Sequence, residues 1–165
     1  MPDMDVKFLQ LAVITGAAWS NDPHTQNGAV LVAAGSGALD VVRAANSFPT
    51  GVATAAARLV RPLKYSFIEH AERGVIYAAA RQGLKTAGAT LYCPWFACAD
   101  CARAIICAGV TRVVGHIKPR IHSPERWAES IQLADQMLRE AGVEIDLLKD
   151  DLGLRYLFNG GPLEL

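Results

Sequence analysis

The chain has 165 residues, of which 52% are hydrophobic and 19% are charged, and its formal net charge is zero. This composition is typical of a globular protein and excludes extended disorder. The charge balance also disfavours a protein that grips long nucleic acids, because such proteins usually carry a basic excess. A chain of this length suits one sizeable core, so we expect residues 1–165 to form a single domain.

The sequence has no recognisable secretory signal and no apolar stretch long enough to cross a bilayer. We therefore expect a cytoplasmic protein with no membrane partner. Its four cysteines, Cys93, Cys98, Cys101 and Cys107, lie within fifteen residues of one another. In a reducing compartment such a cluster is typical of metal binding or catalysis rather than of a disulfide framework.

The first part of the chain is predicted to contain a helix and a hairpin. Apolar residues recur at helical spacing over residues 5–19. Two apolar runs, 29–33 and 39–46, flank the turn sequence Gly-Ser-Gly and predict an antiparallel pair of strands. Residues 47–67 mix proline, glycine and basic residues, and we expect a long loop of the kind that often carries function.

Helices and strands alternate through the rest of the chain. Periodicity and glycine stops predict helices over 70–83 and 98–109 and strands over 89–93, 111–115 and 143–148. Ser123 is predicted to cap a further helix, with Pro124 at its first position and Gly142 at its end. The apolar tail, residues 153–165, is expected to pack on this subunit or on a neighbour. This order of elements predicts a three-layer α/β/α fold with a five-stranded mixed sheet.

Two cysteines open the helix predicted after the third strand. Cys98 and Cys101 are three residues apart, and the positive end of a helix stabilises the thiolate form that binds metals. The same spacing would suit a thiol redox pair or a buried core, so this motif alone leaves the function open. Cys93, on a strand, and Cys107, in the apolar helix, are predicted to be core residues.

A histidine and a glutamate open the preceding helix, in the sequence His70-Ala71-Glu72. One imidazole and two thiolates give zinc three protein ligands and leave a fourth position open, which is typical of catalytic rather than structural zinc. Residues two apart on a regular helix point in different directions. His70 and Glu72 can therefore face one metal only if His70 lies at the helix cap.

The combination of the two motifs is more informative than its parts. Alone, His70 would fit a surface or cap position and Glu72 a solvated helix residue. Together, His-x-Glu followed by Cys-x-x-Cys is the signature of zinc deaminases. Ala97 stands where that signature has a proline before the first cysteine, a departure that removes no ligand.

These motifs resemble the cytidine deaminase superfamily, and in particular its deoxycytidylate deaminase branch. The resemblance covers roughly residues 22–143 and is carried by the segments NDPHTQNGAVLV, ANSFPTGV, KYSFIEHAE and CADCARAIICAGVTRVVG. Ser47 replaces a glycine of the branch's pattern, and Gly74-Val75-Ile76 replaces the usual Asn-Ala-Ile.

The resemblance implies a cytidine-deaminase-like fold and hydrolytic deamination of dCMP to dUMP with release of ammonia. It assigns the zinc ligands His70, Cys98 and Cys101, the proton carrier Glu72, the nucleoside contact Asn46 and the backbone donor Ala71. The insertion between Asn46 and His70 contains neither cysteine nor another histidine, so we expect one zinc ion per chain. The habits of the family also imply a homo-oligomer, either a dimer or a hexamer.

A nucleotide substrate needs contacts for its phosphate and its base. Lys64 is the residue that we predict as a phosphate contact, and the other candidates are Arg58, Arg61, Lys118, Arg120 and His122. For any one of these cations, solvated surface charge is an equally good interpretation. Trp95 and Phe96 precede the paired cysteines and are predicted to wall the base pocket, with a core position as the alternative.

Other functions share these residues. A tRNA adenosine deaminase, or a deaminase of another small base or nucleotide, would use the same zinc ligands; the neutral charge and the long insertion disfavour the RNA enzyme. A non-catalytic zinc module would have no use for Glu72, and a thiol redox protein would leave His-x-Glu unexplained. We therefore predict a zinc-dependent deaminase of a small nucleotide, with no long nucleic acid as its partner.

Overall fold

A mixed five-stranded sheet forms the centre of the fold. The computed structural model describes residues 2–35 and 40–165. The strands are β1 (Gly28–Val32), β2 (Val41–Ala45), β3 (Thr90–Tyr92), β4 (Arg112–His116) and β5 (Glu144–Leu148). Their order is β2-β1-β3-β4-β5, with β1 antiparallel to β2 and β3 and with β3–β4 and β4–β5 parallel. The predicted mixed sheet, with its antiparallel hairpin and parallel crossovers, is confirmed.

Helices and a second hairpin surround this sheet. The helices are α1 (Pro2–Trp19), α2 (Lys64–Phe67), α3 (Ala71–Gln82), α4 (Ala99–Cys107), α5 (Ile117–Ile121) and α6 (Ala128–Glu140). Single 3₁₀ turns lie at Ala56–Leu59 and Glu125–Trp127. Strands β6 (Arg155–Phe158) and β7 (Gly161–Glu164) form a separate antiparallel pair. Within the described part of the chain, no helix has the length and apolar character that crossing a bilayer requires.

Alternating strand residues divide the core into two halves. Leu31 and Leu91 pack with residues of α3, α4 and α6. Their neighbours Val30 and Tyr92 point to the opposite face and pack with α1 and with the β6–β7 hairpin. Successive side chains of a strand point to opposite faces, so strands buried on both sides separate two outer layers. The three-layer arrangement is confirmed.

The close contact between α1 and the start of β1 requires glycine. A Cβ atom on Gly28 would lie 2.1 Å from the carbonyl oxygen of Ala12, and one on Gly16 would lie 2.0 Å from that of Gln26. Backbone therefore packs directly against backbone, and this contact holds the segment before β1 in place.

The structure corrects the predicted start of the last long helix. Helix α6 begins at Ala128, and Pro124 has an extended backbone with φ −61° and ψ 141°. Ser123 does not cap this helix, because its hydroxyl accepts a hydrogen bond from Trp95 and donates one to the carbonyl of Pro119.

Other differences concern the chain's periphery. Cys107 was predicted to be buried but is exposed on the outer side of α4, whereas Cys93 is buried as expected. Helix α5 and the β6–β7 hairpin were not predicted as elements. The predicted turn at 35–37 and the first residue of the strand predicted at 39–46 fall at least partly outside the described residues.

One edge of the sheet collects the segments that carry the motifs. Gly28 at the start of β1 pairs with Ala45 at the end of β2, and Val30 pairs with Tyr92 at the end of β3. The segments before β1, after β2 and after β3 therefore meet at the same edge. Ligand sites of α/β sheets commonly lie outside such an edge.

An ion-pair network attaches α1 to strands β3, β4 and β5. Arg112 donates to both carboxylate oxygens of Asp5 at 2.9 and 2.8 Å, and its Nε donates to Asp146 at 2.8 Å. The hydroxyl of Tyr92 donates to Asp5 Oδ1 at 2.8 Å. The hydrogen bond from Arg112 lowers the pKa of the Asp5 carboxyl, so the ionised form favours the folded state.

We expect Asp5→Asn to destabilise the fold at neutral pH by about 1–3 kcal/mol, because charge-assisted hydrogen bonds are lost. The pKa of Asp5 is lower in the folded state than its ordinary value of 3.8. Its contribution is therefore complete above that value and disappears as the pH falls through the folded-state pKa. Urea unfolding of both proteins at neutral pH and at about pH 2–3 measures this; an equal difference at both pH values would contradict it.

Candidate metal centre and substrate pocket

Three soft ligands converge where α3 and α4 begin. His70 is the N-cap residue of α3 and Cys98 is that of α4, and both have extended backbones with ψ of 146° and 169°. Cys101 lies in the first turn of α4 and is fully buried. Because a cap residue does not share the side-chain direction of its helix, His70 can face α4. His70 therefore occupies the helix-cap position that the sequence analysis required if it is to face the same metal as Glu72.

The ligand atoms are spaced as a tetrahedral metal site requires. Nδ1 of His70 lies 3.6 Å from Sγ of Cys98 and 3.5 Å from Sγ of Cys101, and the two sulfurs are 3.5 Å apart. Zinc bonds of about 2.3 Å to sulfur and about 2.0–2.1 Å to nitrogen give separations of about 3.6–3.8 Å. Within the described residues, no fourth His, Cys, Asp or Glu joins this group. The three side chains fit zinc and leave one position free.

The environment of the two sulfurs favours the negative charge that binds a cation. The hydrogen bond with Cys101 lowers the pKa of Cys98 to about 4, and the hydrogen bond with His70 acts in the same direction. The same pairing, together with burial, raises the pKa of Cys101. The two sulfurs therefore share a proton, which a metal ion would displace on binding.

Arg73 connects the starts of the two helices. Its guanidinium donates to Glu69, just before α3, and lies 3.6 Å from Asp100 in the first turn of α4. Oε1 of Glu69 also accepts the backbone N–H of His70 at 2.9 Å. These contacts fix the cap of α3 relative to α4 and place a positive charge near the sulfurs.

Glu72 is buried beside the cluster with part of its carboxylate unsatisfied. The residue is 3% exposed, and Oε2 has no hydrogen-bond partner within the described residues. Burial raises the pKa of Glu72, and the neighbouring His70 opposes this shift. A buried oxygen without a partner costs free energy. Since Glu72 lines the same pocket as His70 and Cys98, its free oxygen indicates a binding position in that pocket.

Aromatic side chains wall this inner pocket. Trp95, Phe96 and Trp127 line it together with Asn27. The ring of Trp127 lies 5.9 Å from the imidazole of His70 and 6.0 Å from the ring of Trp95, in edge-to-face arrangements. Trp95 and Phe96, the two residues predicted from sequence as base-pocket walls, thus line the pocket together with His70 and Cys98. Their apolar ring surfaces suit contact with a planar ring.

Contacts on several sides fix these walls. A Cβ atom on Gly115 would lie 2.3 Å from the ring of Phe96, so glycine is required for that ring to sit against β4. Nε1 of Trp95 donates to Ser123 Oγ at 2.7 Å, and the ring of Phe158 packs 5.1 Å from the Trp95 ring.

Asn46 and Ala71 contact each other at the side of the pocket. The N–H of Ala71 donates to Asn46 Oδ1 at 2.9 Å, and Asn46 Nδ2 donates to the carbonyl of Thr25 at 3.3 Å. The Ala71 amide is therefore already engaged, and it can meet a base only when Asn46 turns away. Their roles as substrate contacts stay predictions.

An outer pocket adjoins the inner one and shares part of its lining. Four residues line both, namely Asn46, His70, Trp95 and Trp127. Of the six basic candidates for a phosphate contact, Arg61 and Lys64 line the outer pocket. The other four line neither pocket: Arg58, Lys118, Arg120 and His122.

Lys64 lies in the outer pocket with its charge already matched. It is 3% exposed, and its ammonium donates to both carboxylate oxygens of Asp22 at 2.7 Å. Asp22 Oδ1 also accepts the backbone N–H groups of His24 and Thr25 at 2.8 and 3.3 Å. The pair joins the insertion after β2 to the loop before β1. Because Asp22 neutralises the Lys64 ammonium, a contact of Lys64 with a substrate would add little positive charge.

Several residues that line these pockets were not predicted from the sequence, among them Asn27, Arg126 and Trp127. Trp127 lies in the stretch predicted as the start of the last long helix, whereas α6 begins one residue after it. Asn27 offered a usable signal, a polar residue directly before a buried strand. Its amide donates to the carbonyl of Trp95 at 2.8 Å and accepts from the hydroxyl of Tyr156 at 2.9 Å.

Comparison with known proteins identifies the family. The model of the cytidine and deoxycytidylate deaminase zinc-binding region matches residues 2–117. A relative from Aliivibrio fischeri, described as an uncharacterized deaminase in the luxG 3′ region, is 33% identical over 153 residues, which cover 88% of this chain and 94% of the relative. The chain belongs to the cytidine and deoxycytidylate deaminase family.

Relatives with named substrates are more distant. The deoxycytidylate deaminase of Enterobacteria phage T4 is 36% identical over 76 residues, covering 46% of this chain and 35% of that protein. The dCMP deaminase of cyanophage S-TIM5, solved in complex with dCMP and dUMP, has a TM-score of 0.67 at 24% identity, covering 90% of this chain and 98% of that chain. This likeness confirms the predicted cytidine-deaminase-like fold.

We expect the purified protein to carry one zinc ion per chain. Cys98→Ser, Cys101→Ser or His70→Ala should weaken zinc binding by at least about 100-fold, since even residues behind the ligands are worth about 10–100-fold. Cys107→Ser removes an exposed thiol of the same helix and should leave the metal content unchanged. Metal analysis and chelator competition measure both. Zinc-free protein with a Cys98–Cys101 disulfide would refute the metal centre.

Proposed function

We propose that this protein is a zinc-dependent hydrolase that deaminates a cytosine nucleotide, converting dCMP to dUMP and ammonia. The observation that carries the proposal is the buried Glu72 carboxylate. One of its oxygens has no hydrogen-bond partner within the described residues, and the residue lines a pocket together with His70 and Cys98. A structural metal site is normally closed by four protein ligands and needs no such carboxylate. Membership of a deaminase family supports the same conclusion.

His70, Cys98 and Cys101 would hold the zinc ion. One neutral imidazole and two thiolates suit its preference for nitrogen and sulfur ligands. When bound, zinc would supply a water molecule whose pKa is lowered to about 7. The lowered pKa of Cys98 favours metal binding at neutral pH, because a thiolate has no proton to lose.

Glu72 would move the protons of the reaction. Its carboxylate would accept one proton from the attacking water and deliver it to the ring nitrogen. It would then take the second proton of that water from the newly added hydroxyl and deliver it to the departing amino group. One carbon–oxygen bond forms, one carbon–nitrogen bond breaks, and one water is consumed for each ammonia released. Burial raises the pKa of Glu72 toward the working pH, where a general acid–base is most effective.

The aromatic walls would hold the base. Trp95, Phe96 and Trp127 offer apolar surface around a planar ring and exclude water from it. Asn46 and the Ala71 amide would act as a pair, because a carbonyl of the base could accept the Ala71 N–H that now donates to Asn46 Oδ1.

The substrate assignment rests on the named relatives. The phage T4 protein is a deoxycytidylate deaminase and the cyanophage protein is a dCMP deaminase, so we assign dCMP to this chain as well. We further propose that it acts in the cytoplasm on free nucleotides and as a homo-oligomer, as the family resemblance implies.

Glu72→Gln should keep its zinc and lose deaminase activity. An amide cannot accept the proton, so kcat with dCMP should fall by about 10²–10⁴-fold. Glu140→Gln is the matched control, because Glu140 is an exposed carboxylate on α6 that contacts Gln136; its kcat should equal that of the unmodified protein. Ammonia release and metal content are measured together. Undiminished turnover by Glu72→Gln would contradict the role of Glu72.

A substrate panel separates the rival deaminases. Zinc-loaded protein is incubated with dCMP, deoxycytidine, cytosine, adenosine and a structured RNA, and ammonia release is followed. We expect kcat/KM for dCMP to exceed that for each of the others by about tenfold or more, since unpaired polar groups in a binding site discriminate strongly. Inosine formation in the RNA without turnover of dCMP would favour a tRNA adenosine deaminase instead.

A further inference from the structure

Two arginines of the outer pocket have no carboxylate partner. Arg61 and Arg126 both line this pocket and are exposed. Within the described residues, their hydrogen bonds go to an amide oxygen and not to any acid. This distinguishes them from Lys64 in the same pocket, whose charge is matched by Asp22.

The two guanidinium groups share one neutral acceptor. Oδ1 of Asn159 accepts from Arg126 at 2.7 Å and from Arg61 at 3.4 Å. The three residues come from the insertion after β2, the turn before α6 and the β6–β7 hairpin. Bringing two like charges together is unfavourable unless an anion joins them. Because each guanidinium has five N–H donors, one contact with Asn159 leaves the others available.

The backbone around Asn159 holds it beside the pocket. Asn159 has φ 49° and Gly160 has φ 90°, and together they form the two-residue turn between β6 and β7 that the Asn-Gly pair favours. The N–H of Asn159 donates to Thr25 Oγ1 at 3.1 Å, and the N–H of Gly160 donates to the carbonyl of His24 at 2.8 Å. The turn is thereby attached to the loop before β1.

We propose that Arg61, Arg126 and Asn159 form a receptor for the phosphate of a nucleoside monophosphate. The inference rests on the proposed function and names the residues that would bind the phosphate of its substrate. A ring bound in the inner pocket would extend its substituent toward the outer pocket, because the two pockets share four lining residues. A monophosphate carries about −1.5 to −2 charges at neutral pH, which two guanidinium groups match in charge and in the fork geometry of their donors.

Asn159 is the specificity-determining residue of this receptor because it is neutral. Its amide positions both arginines without cancelling their charge. A carboxylate in its place would pair with both of them and repel the phosphate. Aspartate accepts a positive φ almost as readily as asparagine, so Asn159→Asp changes the charge of the receptor while keeping the turn.

The test compares a charged and an uncharged substrate with the zinc-loaded whole chain. Asn159→Asp should raise KM for dCMP by about tenfold or more, with kcat changed by less than about twofold, and should change KM for deoxycytidine far less. Arg126→Gln should act in the same direction. Arg155→Gln is the control, since this exposed arginine of the same hairpin pairs with Glu164; it should alter neither KM. Thermal unfolding and zinc content verify that each variant is folded.

The outcomes separate the receptor from the chemistry. If dCMP is deaminated but Asn159→Asp shifts both KM values equally or neither, the receptor is refuted and the deamination stands. If the unmodified protein releases no ammonia from dCMP, the proposed reaction fails, and titration with inorganic phosphate, followed by tryptophan fluorescence, tests the receptor alone. Weaker phosphate binding by Asn159→Asp supports it, and unchanged binding refutes it. A variant that loses binding to structured RNA while its KM for dCMP is unchanged also refutes it.

Discussion

The site depends on two helices that begin side by side at one edge of the sheet. His70 and Cys98 occupy the caps of α3 and α4, where the backbone is still extended. Arg73, paired with Glu69 and near Asp100, holds these two starts together. Because the caps face each other, the imidazole and the sulfurs come within 3.6 Å. The same enclosure that gathers these side chains withdraws the neighbouring carboxylate from water, so the proposed metal binding and proton transfer would have one structural origin.

Segments outside the zinc motifs complete the pocket. The match to the family model ends at residue 117, and Trp127 and the β6–β7 hairpin follow it in the sequence. Phe158 packs against Trp95, and Tyr156 holds Asn27, whose amide in turn binds the carbonyl of Trp95. An element on the opposite face of the sheet from α3 and α4 thus supports the wall that faces the metal ligands. The shared motifs define the reacting centre, and the later segments define what fits beside it.

Apolar runs that alternate with glycines were enough to predict the sheet and most of the helices. Strands covered on both faces are apolar throughout. A glycine with a positive φ commonly ends a helix, as Gly83 does for α3. The convergence of the ligands was predictable because few folds use both motifs at helix starts. Long-range contacts decided the rest. The hydroxyl of Ser123 accepts a hydrogen bond from Trp95 instead of capping a helix. This contact joins residues far apart in the sequence and outweighs the local preference of serine for a helix cap. The Asn-Gly pair at Asn159 was a visible hairpin signal, but its proximity to the arginines follows only from the tertiary fold.

The distribution of charge in the outer pocket would let a chain with zero net charge bind the proposed small anion and disfavour a long one. A polyanion is held by an extended basic surface that displaces many counterions. A single phosphate needs only a few donors in fixed positions. In the outer pocket one cation, Lys64, is matched by Asp22, whereas Arg61 and Arg126 meet a neutral amide. Zero net charge therefore weakens non-specific attraction to nucleic acids, while the outer pocket keeps its positive charge. The neutral amide of Asn159 leaves that local charge in place.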